Sequence, residues 1–173
     1  AQNVGAWRLE RLGQGIRSCA VLGAVYSAAA LGAMLLFSDA CALLFLDPAE
    51  PALVQLTALT SQYILISTAF FFPLSLVNIV RFSIQGMGYS VFAILAGVLE
   101  MLARTGVAYF LVPSLGYTAA CFASPTAWVC ADLFLIPACM VCIARLRRRS
   151  AKLSPEAPSA SDIPCAARSR AYS

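Results

Sequence analysis

The sequence predicts an all-α fold, a multi-pass transmembrane bundle with four spanning helices. Three observations carry that expectation. Of 173 residues, 61% are hydrophobic and 12% charged, where a soluble domain carries about 25% charged residues. The apolar residues gather into runs of helix length, and about 20 such residues rising ~1.5 Å each cross a ~30 Å hydrocarbon core. The basic residues fall in alternate connections between those runs, as the positive-inside rule requires.

Residues 1–12 read as a cytoplasmic interfacial segment, with Trp7, Leu9 and Leu12 set among Arg8, Glu10 and Arg11, and with Trp7 at headgroup depth. A four-helix membrane segment, 13–148, follows. Its first span, Gly13–Phe37, carries no charge from Ser18 onward. Ala20, Ala24, Ala28 and Gly32 recur at every fourth position, as do Gly15, Cys19, Gly23 and Ser27. Small residues at that period let helices approach closely, so this span is expected to be tightly packed. Ser38–Leu56, with Asp39, Asp47, Pro48, Glu50 and Pro51 around a short apolar segment, reads as a connection at the membrane surface.

The second span, 53–82, contains Pro73, which removes a backbone hydrogen bond and predicts a kink. Thr60, Ser61, Gln62, Ser67, Thr68, Ser75 and Asn78 make it the most polar span. Such residues either line a cavity or join helix to helix, and both readings are open. Gly86 and Gly88 place a turn over Ser83–Gly88. The third span, 89–112, ends at a tight hairpin made by Pro113, Gly116 and Tyr117. The fourth, 117–144, contains two further kink positions, Pro125 and Pro137, together with Trp128 and Asp132. A cluster from Arg145 to Lys152 closes the membrane segment and serves as a topology anchor or as a contact for anionic lipid. Residues 149–173, rich in Ser, Ala and Pro, are expected to form a disordered cytoplasmic tail. Arg8, Arg11 and Arg17, then Arg81, then the Arg145 cluster mark one side of a four-span topology, so both chain ends are expected in the cytoplasm.

The third span holds the unusual feature. Glu100 and Arg104 sit near its middle, four residues apart with the acid first, the better orientation for an ion pair on one helical face. Ionised side chains at that depth cost several kcal/mol unless paired or turned toward protein, about 2.5–3.5 kcal/mol on insertion scales. The span is therefore expected to face other helices. Counting outward from the hairpin places Asp132 at a depth similar to that of Glu100. Three readings follow: Glu100 and Arg104 form a structural ion pair; Asp132 or Glu100 is left partly unpaired and binds a proton, Na⁺ or a cationic substrate; or the two carboxyls catalyse a reaction within the membrane.

Composition narrows the function. Without a single histidine, histidine catalysis and the commonest metal ligand are excluded within these residues. No nucleophile motif accompanies the carboxyls, and an enzyme is not expected. Of seven cysteines, Cys139 and Cys142 form a C-x-x-C without a second pair, and no metal site is expected. The net charge of +4 comes largely from the tail and gives no ground for nucleic-acid binding.

The order of motifs resembles a known family. Ala1-Gln2-Asn3-Val4-Gly5-Ala6 followed by Arg11 and Gly15 is similar to a G-Q-x-x-G-A element of the multidrug and toxic compound extrusion (MATE) transporters, with Ala1 in place of the first glycine. Residues 78–88, with Arg81, Gln85, Gly86 and Gly88, resemble that family's R-x-x-x-Q-G-x-G loop. Glu100 with Arg104, Pro113 with Gly116-Tyr117, and Pro125-Thr126-Ala127-Trp128 are similar to its last two helices. The resemblance covers residues 1–148. It implies a twelve-helix, two-lobe transporter in the plasma membrane, a bacterial inner membrane, of which this chain is a C-terminal fragment; the absent initiator methionine fits that expectation. Its partners would be the lipid bilayer, the remaining N-terminal helices and a small organic cation substrate, with Na⁺ or H⁺ as coupling ion and no other cofactor. It assigns no ion-binding residue to Glu100 or Asp132. A lipid-linked oligosaccharide flippase of related architecture and a small membrane scaffold or assembly subunit are the alternatives.

Overall fold

A computed structural model of the chain describes residues 2–5, 9–46 and 51–153. Seven α-helices cover nearly all of them: α1 Gln2–Gly5, α2 Leu9–Leu43, α3 Leu53–Ala69, α4 Phe71–Gly86, α5 Ser90–Gly106, α6 Val112–Leu115 and α7 Tyr117–Leu153, with a π-helical turn at Val107–Leu111. The expected positions of Trp7, Arg8, Asp47, Pro48 and Glu50, and the tail beyond Leu153, lie outside the described residues.

The chain is membrane-embedded. Glu10–Leu43, Ser90–Leu115 and Tyr117–Ser150 are each long and apolar enough to cross a bilayer, and α3 with α4 meets the same test only as a pair bent by 47°. The bend has a local cause. Pro73 has no N–H to give the carbonyl four residues back at Ala69, so the helix cannot run through in register. Phe70, at φ −101° and ψ 18°, instead turns its N–H to Ser67 at 3.2 Å. Its ring packs edge-on against Phe122 of α7 at 6.1 Å. Pro113 has a comparable effect one helix later. Its ring crowds the carbonyl of Tyr109, and the widened π turn over Val107–Leu111 spans that position. Pro125 and Pro137, by contrast, lie inside an unbroken α7.

Several boundaries differ from the sequence expectation. The first helix runs on to Leu43, so Ser38–Leu43 is helical and not a surface connection. Ser83–Gly86 completes α4, and the turn is confined to residues 87–89, where Gly88 takes φ 87°. Gly116 at φ 62° makes the hairpin into α7, a backbone state that costs glycine nothing. Residues 149–153 continue α7.

The core lies along one stripe of α7. Trp128, Ala131, Leu135, Ala138, Cys139, Cys142 and Leu146 are buried with Val77, Val80 and Ile84 of α4, Met87 of the turn that follows it and Ala96 of α5. Spacings of three and four put these α7 residues on one face. On α5, Ala93, Ala96 and Glu100 share the equivalent face, the alanines letting α7 come close. Of the two small-residue rows on α2, one meets a neighbour: a Cβ at Gly23 would lie 3.2 Å from Ser75 Cβ, and Ser27 is buried. The other row is not packed, since Ala24, Ala28 and Gly32 are exposed.

Candidate functional site

Three helices converge on the mid-membrane charges. α5 presents Glu100 from its buried face, α4 presents Arg81 one turn beyond Val77, and α7 presents Asp132 between Trp128 and Leu135. Arg81 Nη2 donates to Glu100 Oε1 in a direct ion pair that joins α4 to α5. The two side chains are 23% and 15% exposed, enclosed enough for the pair to escape most solvent screening. Arg104 reaches the other carboxylate oxygen, Oε2, at 3.8 Å, but its own side chain is 49% exposed. Glu100 thus spans two guanidiniums, with the interhelical one closer.

This arrangement keeps the expected pair and adds a second, closer partner. Glu100 and Arg104 are in contact, but the principal partner is Arg81, which the sequence pattern places in a connection as a topology charge. Arg81 lies within α4, and its side chain is turned inward. An i,i+4 spacing is visible in sequence, whereas a partner 19 residues away appears only once the α4–α5 turn at residues 87–89 folds the two helices together. The signal available beforehand was an imbalance: one acid in the third span and two arginines near its depth.

Asp132 has a different environment. It is 8% exposed, the one buried ionisable Asp or Glu among the described residues, and its Oδ1 has no hydrogen-bond partner. Its carboxyl is near enough to Glu100 for the two charges to repel. Glu100 holds both nearby guanidiniums, while Arg81 Nε is itself buried without an acceptor. The site therefore combines one satisfied carboxylate with one carboxyl that buries an unpartnered oxygen.

Four hydroxyl and amide side chains of the second span bond to their own helix, while Ser67 Oγ is buried with no partner. Thr57, Thr68, Asn78 and Ser83 each donate to the carbonyl four residues earlier at 2.7–2.9 Å. Ser61 alone of this set bridges helices, donating to Asp39 Oδ1 of α2 at 2.6 Å. Ser75 and Asn78 face an open groove of about 570 Å³ against Cys19, Gly23 and Tyr26 of α2. Tyr117 ties α7 to α3 by donating to the carbonyl of Leu59 at 2.8 Å. Cys139 and Cys142 are buried in the α7 core, and no group of three metal-capable side chains occurs among the described residues. No family model, curated protein or solved structure matches the chain.

Proposed function

We propose that this chain is the C-terminal part of a cation-coupled antiporter that exports drugs or other organic cations by alternating access, with Na⁺ or H⁺ as the exchanged ion. In this reading α2, the bent α3–α4 pair, α5 with α6, and α7 are four spans of a twelve-helix, two-lobe transporter in the plasma membrane, with both ends of the chain cytoplasmic. The observation that supports it most is the charge cluster itself. Ionisable groups turned inward at mid-membrane depth commonly mark ion or substrate paths, and here Asp132 is buried with an unpartnered oxygen beside an ion-paired Glu100. The broken span adds support, since interrupted helices are a feature of transporter sites.

The roles divide accordingly. Glu100, held by Arg81 and Arg104, fixes the rotation of α5 against α4. Asp132 exchanges ion or substrate. Efflux of a fluorescent organic cation from cells expressing the protein tests this: Asp132→Asn abolishes efflux with normal membrane levels of protein. Undiminished drug resistance in the Asp132→Asn/Glu100→Gln double variant would refute it. The bare apolar surface of α2 also suits a membrane scaffold. Eight further apolar spans encoded upstream of Ala1 favour the transporter, and a start codon directly before Ala1 favours the scaffold.

A further inference from the structure

We propose that Asp132 is the proton-carrying group of this site, and that the cation exchanged there is H⁺ and not Na⁺. The exchange rests on the antiporter reading above; proton binding at Asp132 does not. The carboxyl is enclosed between α7, α4 and α5 at 8% exposure, and its Oδ1 is left without a donor. Ionised, it would be an acceptor-only group holding a charge with no cation bound to it inside a bilayer, an expensive state. A proton removes the charge and turns one oxygen into a donor. The step is a plain transfer: one proton from water forms the O–H bond, and the same proton is released to the other side.

The surroundings discriminate between the two ions. Hard metal cations are held by several oxygens at once, and the two oxygens of Glu100, the other carboxylate of the site, are already engaged by Arg81 and Arg104. A sodium ion would have to share the pocket with two guanidiniums, whose charges oppose it strongly where water is scarce. Of the other elements packed on α7 only α2 carries charges, and its Glu10, Arg11, Arg17 and Asp39 are all exposed. α3, α6 and the π turn carry no Asp, Glu, Lys or Arg, and Asp39 of α2 is bonded to Ser61. The other titratable groups within two turns of Asp132 on α7 are the thiols of Cys130 and Cys139. Arg81 is the positioning residue: by engaging Glu100 it leaves Asp132 as the carboxyl of the site without a guanidinium partner.

Infrared difference spectroscopy of the purified protein reads the site without transport. A carboxylic-acid C=O band that grows as pH is lowered, is missing in Asp132→Asn, returns at a displaced frequency in Asp132→Glu and is unaltered by added NaCl is the expected result. A pH-dependent C=O difference signal that is the same in Asp132→Asn as in wild type, or a signal lost on that substitution that Na⁺ also removes at constant pH, overturns the proposal. Proteoliposome flux separates it from the antiporter reading. Organic-cation uptake driven by a pH gradient at equal Na⁺ supports H⁺ exchange, and uptake driven by a Na⁺ gradient at constant pH overturns it. Uptake driven by neither gradient retires the antiporter while the infrared result still decides whether Asp132 carries a proton.

Discussion

α2 and α7 are nearly equal in length, 35 and 37 residues, and both are apolar enough to span a bilayer, yet they stand at opposite ends of the bundle's packing. Within the most apolar window of each helix, 6% of α2 is buried and 39% of α7. The difference lies in the distribution of large side chains. α7 sets Trp128, Leu135 and Leu146 on one face among alanines and cysteines, giving α4 and α5 a surface to interlock with. α2 spreads Val21, Leu22, Val25, Tyr26, Leu35, Leu36 and Phe37 outward and buries only the small side chains of Ser27, Ser38 and Ala42, with Leu12 and Ile16 packed partly against the core. Length and apolarity bring a helix into the membrane, whereas the pattern of sizes around it decides whether it forms the core.

The contrast can be broken most sharply by truncation. Leu135→Ala empties a fully buried site on α7 and is expected to cost about 2–5 kcal/mol of unfolding free energy. Leu36→Ala, at a site 80% exposed on α2, should fall within about 0.5 kcal/mol of wild type. Equal losses in SDS-unfolding titrations would mean that α2 is as deeply packed as α7. Enlarging small residues on α2 sharpens the point. Gly23→Leu drives a side chain into Ser75 and should cost about 1–3 kcal/mol, while Gly32→Leu, with open space around it, should not lower the thermal midpoint. The smallest effect concerns the polar link between α2 and α3. Ser61→Ala removes the hydrogen bond to Asp39 and should destabilise by about 0.5–1.5 kcal/mol, with no further loss when Asp39→Asn is added.

Much of the architecture was legible because it follows from hydropathy and a few punctuating residues. The apolar runs and the glycines at 88 and 116 mark helices and turns directly. Pro73 lies three residues past the observed break, which illustrates that a proline acts on the turn preceding it. Pro125 and Pro137 show the limit of that inference, because α7 remains helical through both. The extension of α2 to Leu43 was hidden by Asp39, a charge that reads as a surface signal until Ser61 is found to be its partner. At the site, the acids and the Glu100–Arg104 spacing could be read from the chain. The closer partner, Arg81, could not, because its distance in sequence says nothing until two helices fold against each other.

Glu100 is held across helices by Arg81 more than within its own helix by Arg104. A double-mutant cycle on unfolding free energy tests it, with Glu100→Gln paired first with Arg81→Gln and then with Arg104→Gln. A coupling above ~1 kcal/mol is expected for the enclosed Arg81 pair and below ~0.5 kcal/mol for the half-exposed Arg104 pair. Equal couplings, or a larger one with Arg104, would contradict it.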